Sequence, residues 1–373
     1  MKNLPALLFI LAAWLCPQSS IADAHEGPYR IGVIIPLSGP VASLGNHVRK
    51  GIALAYDNLS EDSRRSIQLI YSDDRFDPKQ TIIGYQQLSA QKPLDAVFVL
   101  GSPPANALAP ITEKNKQVLV AIGASDPDIV KGRRYTFIHW VIPPMLGKRM
   151  SEELIRRDFK RIALVSAEAS GALADKNSVV DALQSVNEGS RIIYDQSFQP
   201  SETDYRSAIT SLKAKKVDAV ILVLMPGALS SFTKQAQQLG LNAEIAGMET
   251  FEDEDEVKAS QGTLLNKWYV NGADPTDEFV NLYKSKYGIA PGWAAGNAYD
   301  SLNLIALAIS EDLQKTNDGV QNFLANVQDY RGAAGTYSSS SDNRYLLPAA
   351  LKRITQLGFV SIVNSEDHGP KMK

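Results

Sequence analysis

In the stretch DAVFVLGSPPANALAP, an apolar run ends at Gly101 and is followed by Ser102, Pro103 and Pro104. The run fits a strand covered on both faces. Ser102 suits a helix N-cap, and Pro103 suits the first helical position, where no N–H is needed. The chain is therefore read as passing from strand to helix across Ser102. Helix starts at the carboxyl ends of strands are where open α/β sheets bind ligands, anions above all. The corner either holds a ligand or only turns the chain. Ser125, in GASDPDI, offers the same choice between a ligand contact and a cap on residues 126–129. Glu249 directly follows the strand-like AEIAGM. If it faces a cleft, its carboxylate needs a cationic partner or a raised pKa. The acidic residues that follow, 252–256, read as a solvated face.

Other reactive side chains carry less. Asp73, Asp74 and Asp77 could suggest a metal cluster, but they read as a polar strand end followed by an N-cap at Asp77 before Pro78. No metal site is expected. Of the four histidines, only His47 and His139 lie away from the termini, and neither has a nucleophile motif beside it. HExxH, a G-x-S-x-G elbow and a phosphate loop are all missing from the sequence. The chain is read as a non-enzyme without a cofactor. Trp140 and Met145 either pack a hinge or line a cleft. Tyr299 and Asp300 are read as structural, and Trp293 as packing at the start of a helix.

The elements that would position these residues alternate. β-type runs such as YRIGVIIPL, SIQLIYS, DAVFVL and QVLVAIG are separated by amphipathic helices, and a second series follows from RIALVS to VDAVILVL. This alternation predicts parallel sheets built from βαβ units, in two lobes of similar build. Three passages between the lobes are placed near residues 138–144, 269–275 and 332–338. Residues 25–141 and 272–335 form one lobe, residues 142–271 and 336–363 the other, and 364–373 a tail. Thin hinges between two lobes make a ligand clamp.

The N-terminal MKNLPALLFILAAWLCPQSSIADA reads as a secretory signal peptide, residues 1–24, with Ala22-Asp23-Ala24 as the cleavage pattern. Cys16 is the single cysteine, and Leu15 before it is not the small residue that a lipid-attachment signal requires. The protein is read as secreted to the periplasm, monomeric and without a stable membrane insertion. The formal net charge of −3 and the absence of a Lys/Arg stripe argue against nucleic acid.

IGVIIPLSGPVASLGNHVRKGIALAYDNL, YSDDRFDPKQT, VAIGASDPDI, WAAGNAYDSLNLI and GAAGTYSSSSDNRYLLPAALKRITQLGFV, in this order, resemble the leucine/isoleucine/valine-binding protein family. These are type I periplasmic solute-binding proteins of ABC importers. The resemblance covers about residues 29–363. It implies two Rossmann-like lobes of parallel sheet joined by a three-stranded hinge, with a ligand held between them. It implies that Ser102 holds a ligand carboxylate, that Gly123 and Ser125 contribute to the amino-acid head, and that Glu249 pairs with an ammonium. Leu44 stands where a ligand-touching Trp is frequent. Ser170 and Met225 stand near the positions of two ligand-facing tyrosines. Pro103 and Pro104 replace serines and remove two N–H donors from the helix end. The ligand class is thereby left open between an amino acid and a related acid, alcohol or amide. The implied partner is an ABC permease; a ligand-sensing subunit of the same fold is the alternative.

Overall fold

The computed structural model describes residues 27–186, 189–311 and 315–362. The signal-peptide reading, Cys16 and the tail lie outside the described residues. The first lobe is built on β1 (Tyr29–Ile35), β2 (Ile67–Asp73), β3 (Ala96–Leu100), β4 (Val118–Ile122) and β5 (Thr136–His139). They form one parallel sheet in the order β2-β1-β3-β4-β5. Every residue of β1, β3 and β4 is buried. That is the expectation for apolar runs covered by crossover helices on both faces.

The second lobe repeats the plan with β6 (Arg161–Ala167), β7 (Arg191–Phe198), β8 (Ala219–Val223), β9 (Glu244–Gly247) and β10 (Trp268–Gly272). A small hairpin of β11 (Tyr330–Gly332) and β12 (Gly335–Tyr337) precedes β13 (Ala349–Thr355) and β14 (Gly358–Ser361). The second sheet runs β14-β13-β10-β9-β8-β6-β7, with only β13 and β14 antiparallel to their neighbours. The order 2-1-3-4-5 of the first sheet thus recurs as 7-6-8-9-10 in the second. In this order the chain reverses direction across the sheet between its first and third strands. The crevice at their carboxyl ends is the ligand position of open α/β sheets.

Two of the expected passages between lobes fall where β5 gives way to the Pro143–Arg156 helix and where β10 gives way to the Asp277–Tyr287 helix. The third lies later than residues 332–338. Asp300, on the Ala295–Glu311 helix, accepts from the N–H groups of Ala333 (2.7 Å) and Ala334 (2.9 Å) and from the Tyr337 hydroxyl (3.1 Å). Ile138 in β5 donates to Asn343 O at 3.0 Å and accepts from Tyr345 N at 3.2 Å. Residues 336–345 therefore stay with the first lobe, and the chain crosses at residues 346–348. Asp300 is structural, as expected.

The acidic run 252–256 is not a solvated face. Glu252 accepts from Lys352 Nζ at 2.7 Å and from the Asn271 amide, and the Lys352 side chain is only 3 % exposed. Asp253 and Glu256 are buried. Glu256 accepts from Gly227 N (2.5 Å) and Ser230 N (2.7 Å) at the start of the Ala228–Gln238 helix, an anion at a helix N-terminus. Only Glu254 and Asp255 face solvent. Charge density alone pointed to solvent; the partners on other elements decided otherwise. Glu252→Ala leaves the Lys352 ammonium with Asp274, at 2.8 Å, as its remaining carboxylate. Because it removes the more buried of the two carboxylates that meet the Lys352 ammonium and leaves the Asn271 amide without its acceptor, the substitution is expected to lower the unfolding free energy by about 2 kcal/mol. Urea denaturation checks this, and a change within about 0.5 kcal/mol would refute the buried pairing.

Candidate functional site

Both sheets point their reversal crevices at one cavity. Leu44 comes from the helix after β1, Ser102 from the turn after β3, and Gly123 and Ser125 from the turn after β4. The second lobe supplies Gly171 and Asp175 after β6, Met225 after β8 and Glu249 after β9. Phe76 and Trp293 complete the aromatic part of the wall.

The Ser102 corner differs from its sequence reading. Gly101 is the N-cap, at φ +78°, and the Ser102–Lys114 helix begins with Ser102 and the two prolines. Glycine carries this positive φ without strain, so the helix starts one residue earlier than a serine cap would place it. The Ser102 hydroxyl instead accepts from Ser125 N at 3.0 Å and Asp126 N at 3.1 Å. It ties the β3 corner to the β4 corner. Asp126, not Ser125, caps the following turn, accepting from Asp128 N at 2.9 Å. The Ser125 hydroxyl is turned across the cleft and donates to Glu249 Oε1 at 3.0 Å.

Glu249 also accepts from the Trp140 indole N–H. Trp140 does not line the cavity; it holds Glu249 from the passage after β5, and its ring stands 4.7 Å from that of Trp293. Ser170 likewise lies off the cavity, its hydroxyl accepting from the Asn106 amide at 3.1 Å, and Gly171 takes the place at the wall. A Cβ on Gly171 would stand 2.7 Å from Ser102 Oγ. A side chain at this position would therefore crowd Ser102 across the cleft. Gly123, at φ +63°, has the Trp293 ring where a Cβ would sit. Met145 is 40 % exposed and lines nothing here.

Three residues at the wall escaped the sequence reading. Trp293 packs just before the Ala295–Glu311 helix, as read, but its place at the wall, over Gly123, was not foreseen. Phe76 has φ +62°, unusual for an aromatic residue, and its ring lies against Gly101. The aspartates that resembled metal ligands hold this turn. Asp73 Oδ1 accepts from Arg75 N (3.0 Å), Asp74 Oδ1 from Phe76 N (2.9 Å) and Asp77 from Lys79 N (2.7 Å). Asp175 is the third. On the Ser170–Val186 helix it shares the buried stripe with Ser178, Val179 and Leu183, so an acid at a core position of the 3.6-residue period was the signal available.

Burial pushes the Glu249 carboxyl up to about 7, helped by the charge of Glu252 and opposed by the Trp140 and Ser125 donors. Burial pushes Asp175 well above the carboxylate range, and the charge of Glu249 adds to it. The cavity carries no Lys, Arg or His among the described residues. His139 contacts Ser301 at 2.8 Å, but it is fully buried in the core, where burial lowers it to about 3. No substrate can reach that pair.

An acid whose pKa is raised on folding favours the folded state below its unfolded value, and that contribution is lost as pH climbs through the folded value. For Glu249 the window is pH 4.5 to 7. Glu249→Gln is therefore expected to match the parent protein near pH 4 and to exceed it by about 3 kcal/mol at pH 8. Thermal melts at the two pH values check this; equal gains at both would place the cause elsewhere.

Residues 28–356 match the family model described as Periplasmic binding protein. The chain is 24% identical over 346 residues to the Leu/Ile/Val-binding protein homolog 3 of Brucella melitensis, covering 86% of this chain and 90% of the relative. Among solved structures, it resembles the branched-chain amino acid transporter substrate-binding protein LivJ of Streptococcus pneumoniae in complex with isoleucine. The TM-score is 0.78 and the identity 22%, over 90% of this chain and 99% of that one. It also resembles a solute-binding protein of an ABC transporter from R. palustris in complex with benzoate, with a TM-score of 0.79 and 17% identity, over 93% of this chain and all of that one (100%). With a model match over most of its length and the two-lobed type I architecture described above, this chain belongs to the periplasmic binding protein family.

Proposed function

We propose that this protein is an extracytoplasmic solute-binding protein that captures a small organic ligand between its lobes and delivers it to an ABC importer. The observation that carries this reading is the cavity itself. The reversal crevices of two separate sheets open onto it, and first-lobe Ser125 meets second-lobe Glu249 across it at 3.0 Å. A site assembled from both lobes exists only when they are closed, so a ligand that fills it favours closure. Closure excludes water and strengthens polar contacts to the ligand. The first lobe offers Ser102, Gly123, Ser125 and Leu44; the second offers Glu249 and Met225, with Trp140 supporting Glu249 from behind. The relatives that bind isoleucine and benzoate, and the transporter role in their names, support a transported solute and a permease partner. A closed form presents a surface that the open form lacks, which is what a permease can read. The same family supports a periplasmic location; among the described residues no helix is long and apolar enough to cross a membrane.

The test is a thermal-shift screen of small solutes against protein refolded from denaturant to strip carried-over ligand. A true ligand at ~100 times its dissociation constant stabilises by about 2.7 kcal/mol. Gly171→Trp, which fills the gap opposite Ser102, is expected to abolish that shift while the circular dichroism spectrum is kept. Cells lacking the protein should lose uptake of the same solute. Binding that survives Gly171→Trp would move the site out of the cleft, and unchanged uptake would remove the importer role.

A further inference from the structure

Every charged side chain lining the cleft is acidic. Two carboxylates line it, Asp175 and Glu249, and no basic side chain among the described residues does. Asp175 is 2 % exposed, and its Oδ1 is buried without a hydrogen-bond partner. An unpartnered buried carboxylate oxygen is costly to keep unless something supplied from outside meets it. The Ser125 hydroxyl has one proton to share between Glu249 Oε1 and the Asp175 carboxyl.

Part of the donor set at the first-lobe corner is committed, although the Ser102 hydroxyl keeps its own proton. Ser125 N and Asp126 N both donate to Ser102 Oγ, and Pro103 and Pro104 have no N–H. The amides opening the Ser170–Val186 helix remain, but Asp175 lies in the second turn of that helix. Helical side chains lean toward the N-terminus, so the Asp175 carboxyl is directed to the same end of the helix. A zwitterionic amino acid would bring a third carboxyl group to the two already there. An organic cation brings what both lack. Leu44, Phe76, Met225 and Trp293 surround the remaining space with apolar and aromatic surface, and aromatic faces attract cations.

Building on the solute-binding reading above, we infer that the ligand is a protonated organic amine without a carboxylate, its nitrogen held between Asp175 of the second lobe and the Ser125–Glu249 pair, and its apolar body against Phe76, Leu44 and Trp293. The specificity is that of a monocation, not of the amino acids.

Calorimetric titration of the refolded protein at pH 8 tests this with matched sets. Isoamylamine and phenethylamine are compared with leucine and phenylalanine, with 4-methylpentanoate and 3-phenylpropanoate, and with 3-methylbutanol and 2-phenylethanol. The amines are expected to bind at least tenfold more tightly than every counterpart. Asp175→Asn is expected to weaken amine binding at least tenfold, and Glu249→Gln carries the same test from the other lobe should Asp175→Asn fail to fold. Amino acids, acids or alcohols that bind as well as the amines overturn the inference and leave the solute-binding reading standing. So does amine binding that both variants retain, or a screen whose only ligands are of another class. If neither these compounds nor any solute of the wider screen binds, both readings fall.

Discussion

A buried carboxylate must be neutralised, paired or protonated, and the centre of this protein holds two of them in one cavity. Most of the local architecture bears on that condition. The Trp140 indole and the Ser125 hydroxyl both donate to Glu249. Asp175 receives less, and one of its oxygens has no partner. The amides of Ser125 and Asp126 do not help, because both are committed to Ser102. Glu252, one turn beyond Glu249, meets a different environment: Lys352 and Asn271 satisfy it. Within four residues of one chain, then, one carboxylate is matched by the protein itself and another is left to the cleft.

The doubled topology explains why such a site can be assembled at all. Each sheet has the order in which the chain reverses direction beside its first strand, and each reversal leaves a crevice at the strand ends. One crevice alone would be a shallow groove. Set face to face, the two make a deeper, half-open space whose walls come from both sheets. The glycine opposite Ser102, Gly171, leaves room for Ser102 to approach the second lobe.

The fold was largely legible in the sequence because parallel strands buried on both faces leave uninterrupted apolar runs, and those runs recur twice. The resemblance motifs then located Ser102, Gly123, Ser125, Leu44, Met225 and Glu249, all of which reach the cavity. What stayed hidden depended on side-chain direction. Ser170 and Trp140 sit one position or one layer away from the wall. Asp175 lay inside a helix whose buried face was not assigned, and Phe76 reaches the wall only through a left-handed turn that Asp73 and Asp74 secure. The acidic run failed for the opposite reason. Its charges were plain, but the partners of Glu252 and Glu256 are tens of residues away in the chain.

The late position of the third passage bears on how the molecule is built in time. The first lobe is incomplete until residues 333–345 have packed onto Asp300 and Ile138, and the second sheet is incomplete until β13 joins β10. Neither lobe is a contiguous stretch of chain. Each must wait for segments that emerge at the far end of synthesis, so closing it means closing loops of very different lengths. A chain organised this way gains its stable core only near completion, and its early strands stay unsealed while the rest is being made.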